Sequence, residues 1–419
     1  MSGLDYTYER AGHAAFHTGE YVFHQLIPYI GNKRKLLGLI NQAVAKTGVS
    51  PNGTFLDLFA GSGVVSRMAK KQGFQVIAND WEPYAQAINQ CYIACNSAPA
   101  FAHFGGYENA ITRLNAVAPT VDWVTRHLCP ADDREYDRHT ERLFYTRANG
   151  MKIDAMRLQI ERWQADGLLS ELETSCLLAP MLYQACYTSN TSGVFKGFHN
   201  GWGGQTKTAL YRILSEFRLK PAVFYDNGQP NTVTRMDAAC LADTLRGTGD
   251  TVDIAYLDPP YNQHPYGSNY HVLNTLTLWD KPPVSEQITG RNKAAIREDW
   301  RTARRSAYNH CASAANAYAA LLQSLNARYI LTSYSTDGTI PLVSLVEACL
   351  KRGHTDFVTQ QYKRYRVSAQ RYSQKPLNVE IVLIIDTGRS HTGPSAEAIC
   401  SSIRAAEETA LNSREESLH

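Results

Sequence analysis

Long apolar runs are missing from this chain. The longest, Ile381–Ile385 and Leu342–Val346, fall far short of the roughly 20 residues that a membrane-spanning helix needs. Met1 to Phe16 carries Asp5, Glu9 and Arg10 where a secretory leader would be apolar, so none is expected. Paired cysteines are missing too: nine are scattered through 419 residues, and an odd, unpatterned set makes no disulfide framework. Only Cys91 and Cys95 are close, and no second pair completes a zinc site. The other cysteines and the histidines show no ligand spacing, so no metal is expected. Charge of one sign is lacking as well: a net +3 is too little to imply a nucleic-acid partner by itself. What remains is an ordinary globular composition, 44% hydrophobic and 19% charged. Secreted, membrane, collagenous and disordered classes are excluded, and the length suggests about two or three domains in a reducing compartment.

The distribution of charge says more than its sum. Between 291 and 310 stand six basic residues, Arg291, Lys293, Arg297, Arg301, Arg304 and Arg305, against Glu298 and Asp299. Between 351 and 375 stand seven, Lys351, Arg352, Lys363, Arg364, Arg366, Arg371 and Lys375, against Asp356 alone. The second run alternates with Tyr362, Tyr365 and Tyr372, a mixture suited to phosphates and stacked bases, though a solvated face has the same look. The tail from Ser395 to His419 is acidic and reads as a surface helix or a frayed end.

Hydrophobic patterning alternates strand and helix in two separated blocks. Thr54–Leu58 reads as a strand, Val64–Gln72 as a helix, Gln75–Ala78 as the next strand and Pro83–Cys95 as the next helix. That order implies a parallel, doubly wound α/β sheet. From about 101 to 225 the strand signal fades, and Met151–Asp166 and Leu168–Tyr187 carry helical periodicity. Asn190–Gln205 is a loop with five glycines. Strands return at Val252–Leu257, Tyr329–Thr332 and Val379–Ile385, with a helix near 312–326. The expected layout is a discontinuous α/β domain (1–95 and 231–387), a helical insertion (96–230) and a polar tail (388–419).

The first chemical motif is Phe55-Leu-Asp-Leu-Phe-Ala-Gly-Ser-Gly63. A strand running into a glycine turn and then a helix offers backbone amides and close approach to a ligand. It is not the dinucleotide fingerprint, because Ser66 stands where the third glycine belongs. Asp57 is placed at the carboxyl end of the first strand, facing the ligand crevice. Asp80 ends the next strand, where an acid accepts hydrogen bonds from a ribose diol, and Trp81 can lie against an adenine ring. Taken alone, such a turn also serves simply to pack helix on strand.

The second motif is sharper. The strand Asp253-Ile-Ala-Tyr-Leu257 ends in Asp258-Pro259-Pro260-Tyr261. Two prolines cannot extend a central strand; they fix φ and remove two donors, leaving carbonyl oxygens and the Asp258 carboxylate at the sheet's edge. A carboxylate, a carbonyl and an aromatic ring in four rigid residues make a socket for a planar amine. The amine's two hydrogens meet acceptors while Tyr261 stacks on the ring.

With these motifs the chain resembles the Dam-like class of adenine-N6-specific DNA methyltransferases, especially type II modification methylases of the FokI kind. Tyr29-Ile-Gly-Asn-Lys-Arg-Lys-Leu-Leu37 is similar to the class's N-terminal cofactor motif, Asp57-Leu-Phe-Ala-Gly-Ser-Gly63 to its methionine-binding loop, and Asn79-Asp80 to its ribose acid. Asp258-Pro-Pro-Tyr261 is similar to its catalytic motif, and Asp237 to the acid that contacts the cofactor adenine. The continuation Asn262–His271, and Phe144–Gly150 followed by Ile153, Asp154 and Arg157, point to the FokI-type members. The resemblance runs over about residues 24 to 386.

It implies a Rossmann-like S-adenosylmethionine-dependent sheet with a helical target-recognition insertion, in a cytoplasmic protein encoded by a bacterium or phage. S-adenosylmethionine is the implied cofactor, with Tyr29, Gly31, Lys33, Asp57, Phe59, Ala60, Gly61, Gly63, Asp80, Trp81 and Asp237 around it and Lys33 on its carboxylate. Asn32 replaces a glycine common in relatives, which is expected to alter the turn and keep the site. Asp258 and the Pro259 carbonyl are expected to accept the amine hydrogens of a flipped adenine in double-stranded DNA, localising its lone pair toward the methyl donor. Lys196 and His199 in the glycine-rich loop, taken as flexible, could reach a groove or close over the base, or the loop could be a surface connector. Arg301, Arg304, Arg305, Lys363, Arg364, Arg366 and Arg371 are expected to meet phosphates. A monomer or weak dimer, with a cognate restriction nuclease as possible companion, completes the picture. RNA adenine, cytosine N4 or a glutamine amide stay open as acceptors, although serine or asparagine is commoner than Asp258 in the last two. So does a catalytically silent DNA-binding module.

Overall fold

The computed structural model describes residues 19–261, 265–297, 299–300, 305–363 and 377–415. Seven strands form one sheet: β1 (Thr54–Asp57), β2 (Gln75–Asn79), β3 (Thr232–Thr234), β4 (Val252–Leu257), β5 (Ala327–Ser335), β6 (His354–Lys363) and β7 (Leu377–Asp386). Their order is β3-β2-β1-β4-β5-β7-β6. The first five run parallel, and β7 lies antiparallel between β5 and β6. The α/β expectation therefore holds, while the wholly parallel sheet does not: β6 and β7 follow one another in the chain and pair as sequence neighbours do, antiparallel. β3 and β6 escaped the patterning. β3 has three residues at an edge, and β6 is a largely polar edge strand merging into the second basic run.

The principal helices are α1 (Leu37–Thr47), α2 (Val64–Lys71), α3 (Pro83–Asn89), α4 (Arg147–Ala165), α5 (Glu171–Thr188), α6 (Ala238–Thr248), α7 (His271–Leu278), α8 (Cys311–Ser324), α9 (Leu342–Arg352) and α10 (Ala396–Glu415). α1 buries Leu37, Ile40, Ala43, Val44 and Thr47, one stripe at helical spacing, and stops where Gly48 turns left-handed at φ 67°. α3 continues into a π-helical stretch, Gln90–Ala94, so the helix expected over 83–95 changes winding midway. α5 starts in a Ser170–Glu173 capping box. Between β2 and β3 the described residues contain helices and loops and no strand.

Strand alternation divides the core. Phe55, Ile254, Tyr256 and Val382 point to one face, packed with α1, α2 and the helices that follow β2; Leu56, Ala255, Leu257 and Leu383 point to the other, packed with α6, α8 and α9. Each fully buried Leu, Ile or Phe contributes on the order of 1.5–3 kcal/mol. The acidic tail is more than a surface helix: Ile399, Cys400 and Ile403 of α10 are buried in the second core. No helix among the described residues is long and apolar enough to cross a membrane.

Candidate active site

The chain leaves β1 toward β2 and β3, then returns on the other side as β4, so a crevice opens beyond the carboxyl ends of β1 and β4. Asp253 sets their register. Its Oδ2 accepts from the Thr54 amide at 2.7 Å and hydroxyl at 3.0 Å, which levels the two strands and pairs Asp57 with Tyr256. The strand ends thus deliver Asp57, Asp80 and Asp258 to one rim.

Asn79, buried at the end of β2, ties that rim together. Its Nδ2 donates to the carbonyls of Leu58 and Met236, and its Oδ1 accepts from the Thr234 hydroxyl and the Met236 amide. One side chain therefore joins the exits of β1, β2 and β3. Asp80 beside it accepts from the amides of Gly61 and Glu82, both at 2.8 Å. Both turn glycines are required. Gly61 has φ 51°, and a Cβ there would meet the Tyr29 ring at 2.7 Å; Gly63 has φ 77°, and a Cβ would meet Asn89 Oδ1 at 2.3 Å.

A cleft lies over this rim. Of the expected site residues, Tyr29, Phe59, Asp80, Trp81, Asp237, Asp258 and Pro260 line it; Gly31, Lys33, Asp57, Ala60, Gly61, Gly63, Pro259 and Tyr261 do not. Asp237 also caps α6, accepting from the Ala239 amide at 2.9 Å. Met236, Glu82, Tyr266, Tyr308 and Asn309 are among the other lining residues and were not anticipated. Tyr266 and Tyr270 had a signal, since both belong to the stretch after Asp258-Pro-Pro-Tyr261. They stack on Tyr29 with centroids 5.1 Å away, and their hydroxyls hold the Ile30 carbonyl and amide.

Behind the cleft sits a buried ionic cluster. Lys33 is 3% exposed; its Nζ is 3.0 Å from Asp258 Oδ1 and donates to the Tyr261 hydroxyl at 2.8 Å. Lys33 was expected on a cofactor carboxylate; its ammonium also engages the catalytic motif itself, as an ion pair with Asp258 and a hydrogen bond to Tyr261. Burial alone would lower the Lys33 pKa, but Asp258, Tyr261 and Glu380 together hold it well above the ordinary value. Burial raises Asp258, with Lys33 opposing. Asp57 is pushed up to about 7 by burial, against a Ser66 hydroxyl donating at 2.7 Å, with Asp258 and Asp80 adding to the rise. Glu380, a buried acid inside the apolar strand β7, has its Oε2 without a hydrogen-bond partner among the described residues. The Tyr261 ring stands edge-on to Tyr334 at 5.4 Å.

The residues expected on DNA fare differently. Arg305 is exposed, whereas Lys196 is half-buried with its pKa lowered by burial. Arg301, Arg304, Arg364, Arg366 and Arg371, the side chain of Lys363 and residues 262–264 lie outside the described residues. Other members of the basic runs are engaged. Arg297 pairs with Asp280 and Asp299, Lys293 donates to Asn200, and Arg352 donates to the carbonyls of Leu322 and Leu325.

The glycine-rich loop is fastened, contrary to the expectation of flexibility. Asn190 Nδ2 donates to the carbonyls of Leu143, His199 and Gly201, its Oδ1 accepts from the Gly203 amide, and its carbonyl accepts from the His199 amide. Trp202 Nε1 donates to the Asp133 carbonyl at 2.9 Å. Buried Asn190 satisfies so many backbone groups that the glycines serve its turns. The Phe144–Arg157 motif is likewise scaffold. Asp154 accepts from the amides of Asp122, Val124 and Thr125, and Arg157 Nε donates to the Leu276 carbonyl at the end of α7.

A doubly wound sheet with this glycine turn, an acid after β2 and an Asp-Pro-Pro-Tyr exit at the switch point defines the class of S-adenosylmethionine-dependent amino-methyltransferases. Within that class, the chain belongs to the D12 class N6 adenine-specific DNA methyltransferases, whose family model matches residues 29–330. It is 31% identical to the Type II methyltransferase M.NlaIII of Neisseria lactamica over 341 residues, 81% of this chain and 92% of that protein. It is 29% identical to the Modification methylase LlaI of Lactococcus lactis subsp. lactis and 28% identical to the Type II methyltransferase M.FokI of Planomicrobium okeanokoites. The chain spans about half the length of these last two, 51% and 50%. The protein is thus an S-adenosylmethionine-dependent, adenine-specific DNA methyltransferase.

Proposed function

We propose that this protein methylates the N6 amine of an adenine flipped out of double-stranded DNA at one recurring sequence, as the modification arm of a restriction-modification system. The single observation that carries the mechanism is the Asp258 carboxylate, delivered to the cleft by β4 and backed by a buried lysine. The cleft fits the cofactor: apolar Phe59 and Met236 face the carboxylates of Asp80 and Asp237, and the Gly61 position has no room for a Cβ beside Tyr29. Asp80 would hold its ribose and the Gly61–Gly63 turn would let its methionine part approach closely, Trp81 and Asp237 would meet its adenine, and Lys33 would meet its carboxylate. When bound, S-adenosylmethionine supplies an activated sulfonium methyl group.

The chain's own groups prepare the acceptor. Asp258 and the Pro259 carbonyl accept the two amine hydrogens, drawing the lone pair out of the ring. Alignment then contributes much of the acceleration. Asp258 balances positive charge that develops on nitrogen, and Lys33 opposes the effect of burial, favouring its ionised form and aiming it. Tyr261, its hydroxyl held by Lys33, offers a ring for the extruded base. Residues 96–230 would carry target recognition, with Lys196 and His199 as contacts, and Arg305 of the first basic run would meet a phosphate, the protein acting as a monomer or weak dimer in the cytoplasm. The relatives' names, type II methyltransferases and modification methylases, support a nuclease companion.

Tritiated methyl transfer to unmethylated bacterial genomic DNA, with nucleoside analysis and methylation-aware sequencing, tests this reading. Label in N6-methyladenine at one sequence is expected. Label confined to cytosine, or to RNA added in parallel, would overturn it.

A further inference from the structure

Tyr211 and Leu214 are 72% and 55% exposed, the highest values among the exposed large hydrophobic residues of the described chain. They are neighbours, flanking Arg212 and Ile213 on the short helix Leu210–Ile213 and its cap. An apolar pair so exposed is worth asking about because it is rigidly mounted. The Arg212 guanidinium donates to the carbonyls of Tyr187, Ser189 and Thr191. Asn149 holds the other end: its Nδ2 donates to the Ile213 and Ser215 carbonyls, and its Oδ1 accepts from the Phe217 amide. Two buried or half-buried polar side chains thus serve to present two apolar ones to water.

The surroundings are cationic and aromatic. From 207 to 220 the chain carries Lys207, Arg212, Arg218 and Lys220 against Glu216 alone. Tyr187 stacks on Tyr183 with centroids 6.2 Å apart. Arg34, exposed next to catalytic Lys33, lies 4.7 Å over the Phe23 ring and acts electrostatically on Tyr183. The platform is also tied to the site. The loop that Arg212 pins runs on through Gly193, where a Cβ would be 3.4 Å from Pro28, to Phe195, whose amide donates to the Asn269 carbonyl beside Tyr270.

We propose that the Tyr211–Leu214 platform is a duplex-DNA contact, with Tyr211 packing on sugar and base edges beside the target while Lys207 and Arg218 meet phosphates. The charge of the segment selects a polyanion over a second copy of this chain, which would bring like charges together. The rigid mounting suits insertion of an apolar edge, since a mobile tyrosine would lose ordering entropy on contact. The proposal rests on the DNA methyltransferase identity and adds a surface that neither basic run supplied.

The test uses the full chain as Tyr211→Ala, Tyr211→Phe, Leu214→Ala and Lys207→Gln. Cofactor affinity is read by calorimetry, duplex affinity by anisotropy on a short random-sequence duplex, and kcat/KM by methyl transfer to unmethylated genomic DNA. Tyr211→Ala is expected to lose roughly tenfold in duplex affinity and in kcat/KM, the size of one lost stacking contact. Its salt dependence and cofactor affinity should stay as in the parent. Tyr211→Phe should recover most of the loss, and Leu214→Ala should lose a smaller factor. Lys207→Gln should flatten the salt dependence. Tyr211 and Leu214 are mostly exposed, with the Tyr187 hydroxyl as the hydrogen-bond partner Tyr211 would lose, so truncation is expected to leave folding intact, which thermal melting verifies. Unchanged duplex affinity and kcat/KM in Tyr211→Ala would overturn the proposal, as would a change in oligomeric state with DNA affinity retained. Loss of cofactor binding in the same variants would instead point to a damaged methyltransferase fold and would also overturn it.

Discussion

The carboxyl rim of the sheet and the helical region after β2 both bury charged and polar side chains, yet they use them in opposite ways. In the helical region the partners are almost all backbone. Asp154 accepts from three amides and the Thr125 hydroxyl, and the carbonyls of Tyr92, Ile93 and Cys95 accept from Lys70, which reaches over from α2 with its pKa lowered by burial to about 8. Asn190 closes a whole loop. At the rim, ionisable side chains face one another: Lys33 faces Asp258 and Tyr261, with Glu380 acting on it and Asp57 feeling both Asp258 and Asp80. A buried charge answered by peptide groups holds the fold. One answered by other titratable groups, with oxygens such as Asp57 Oδ1 and Glu380 Oε2 that have no hydrogen-bond partner among the described residues, is a tuned environment.

Substitutions on either side can break this contrast. The largest effect is expected for Asp258→Ala: methyl transfer falls by about 10²- to 10³-fold, while cofactor affinity measured by calorimetry holds. Equal turnover in that variant would remove Asp258 from the chemistry. Lys33→Met sharpens the same point. Lys33 lowers the Asp258 pKa against burial, so its loss moves the acid limb of the pH–rate profile to higher pH.

Asp57 adds a pH signature to stability. Its folded pKa, about 7, lies above the value of about 3.8 for an unfolded aspartate. The protonated form is therefore favoured in the native state, and this stabilisation is full below about pH 4 and lost as pH rises through about 7. Asp57→Asn should flatten that part of the curve, by roughly 3 kcal/mol at most, in urea melts between about pH 5 and pH 8. A parent protein whose stability rises steadily over the window would contradict the assignment.

Across the divide, Asp154→Ala should cost about 2 kcal/mol of unfolding free energy by leaving buried amides unpaired. The KM for S-adenosylmethionine should stay unchanged in the folded protein. A selective KM effect would show that the helical scaffold reaches into the cofactor site. The smallest effect is expected at the turn: Gly61→Ala forces a Cβ against Tyr29 and should weaken cofactor binding roughly tenfold, read by calorimetry.

Much of the rim was legible because its signals are local. A strand must stop at two prolines, a glycine pair must turn, and an acid after a strand must sit at its carboxyl end. β1, β2, β4 and β7 therefore emerged close to their observed limits, with Asp57, Asp80, Asp237 and Asp258 beside them, while β5 was found at less than half its length. Lys33 was found as a residue but its ion pair with Asp258 was not, since that pair joins positions 225 residues apart and no periodicity records it. Asn79 stood next to the singled-out Asp80, but its role needs three strand ends meeting at one side chain. Glu380 had a signal, an acid within an apolar strand, that only the packing of β7 against Lys33 makes interpretable.

Loops were the least legible. Five glycines and few apolar residues describe a mobile segment and an Asn190-centred knot equally well, because hydrogen bonds to distant carbonyls leave no spacing in the chain. The basic runs had the same ambiguity: Arg297 and Arg352 look identical to phosphate contacts until Asp280 or the Leu322 carbonyl is seen beside them. By itself the sequence determined what short-range sterics and alternation dictate, namely the fold class, the strand ends and the acids that stand there. The tertiary structure alone decided which charges are spent on the backbone and which on each other, because pairing in a low-dielectric interior depends on distances of a few ångströms between residues far apart in the chain.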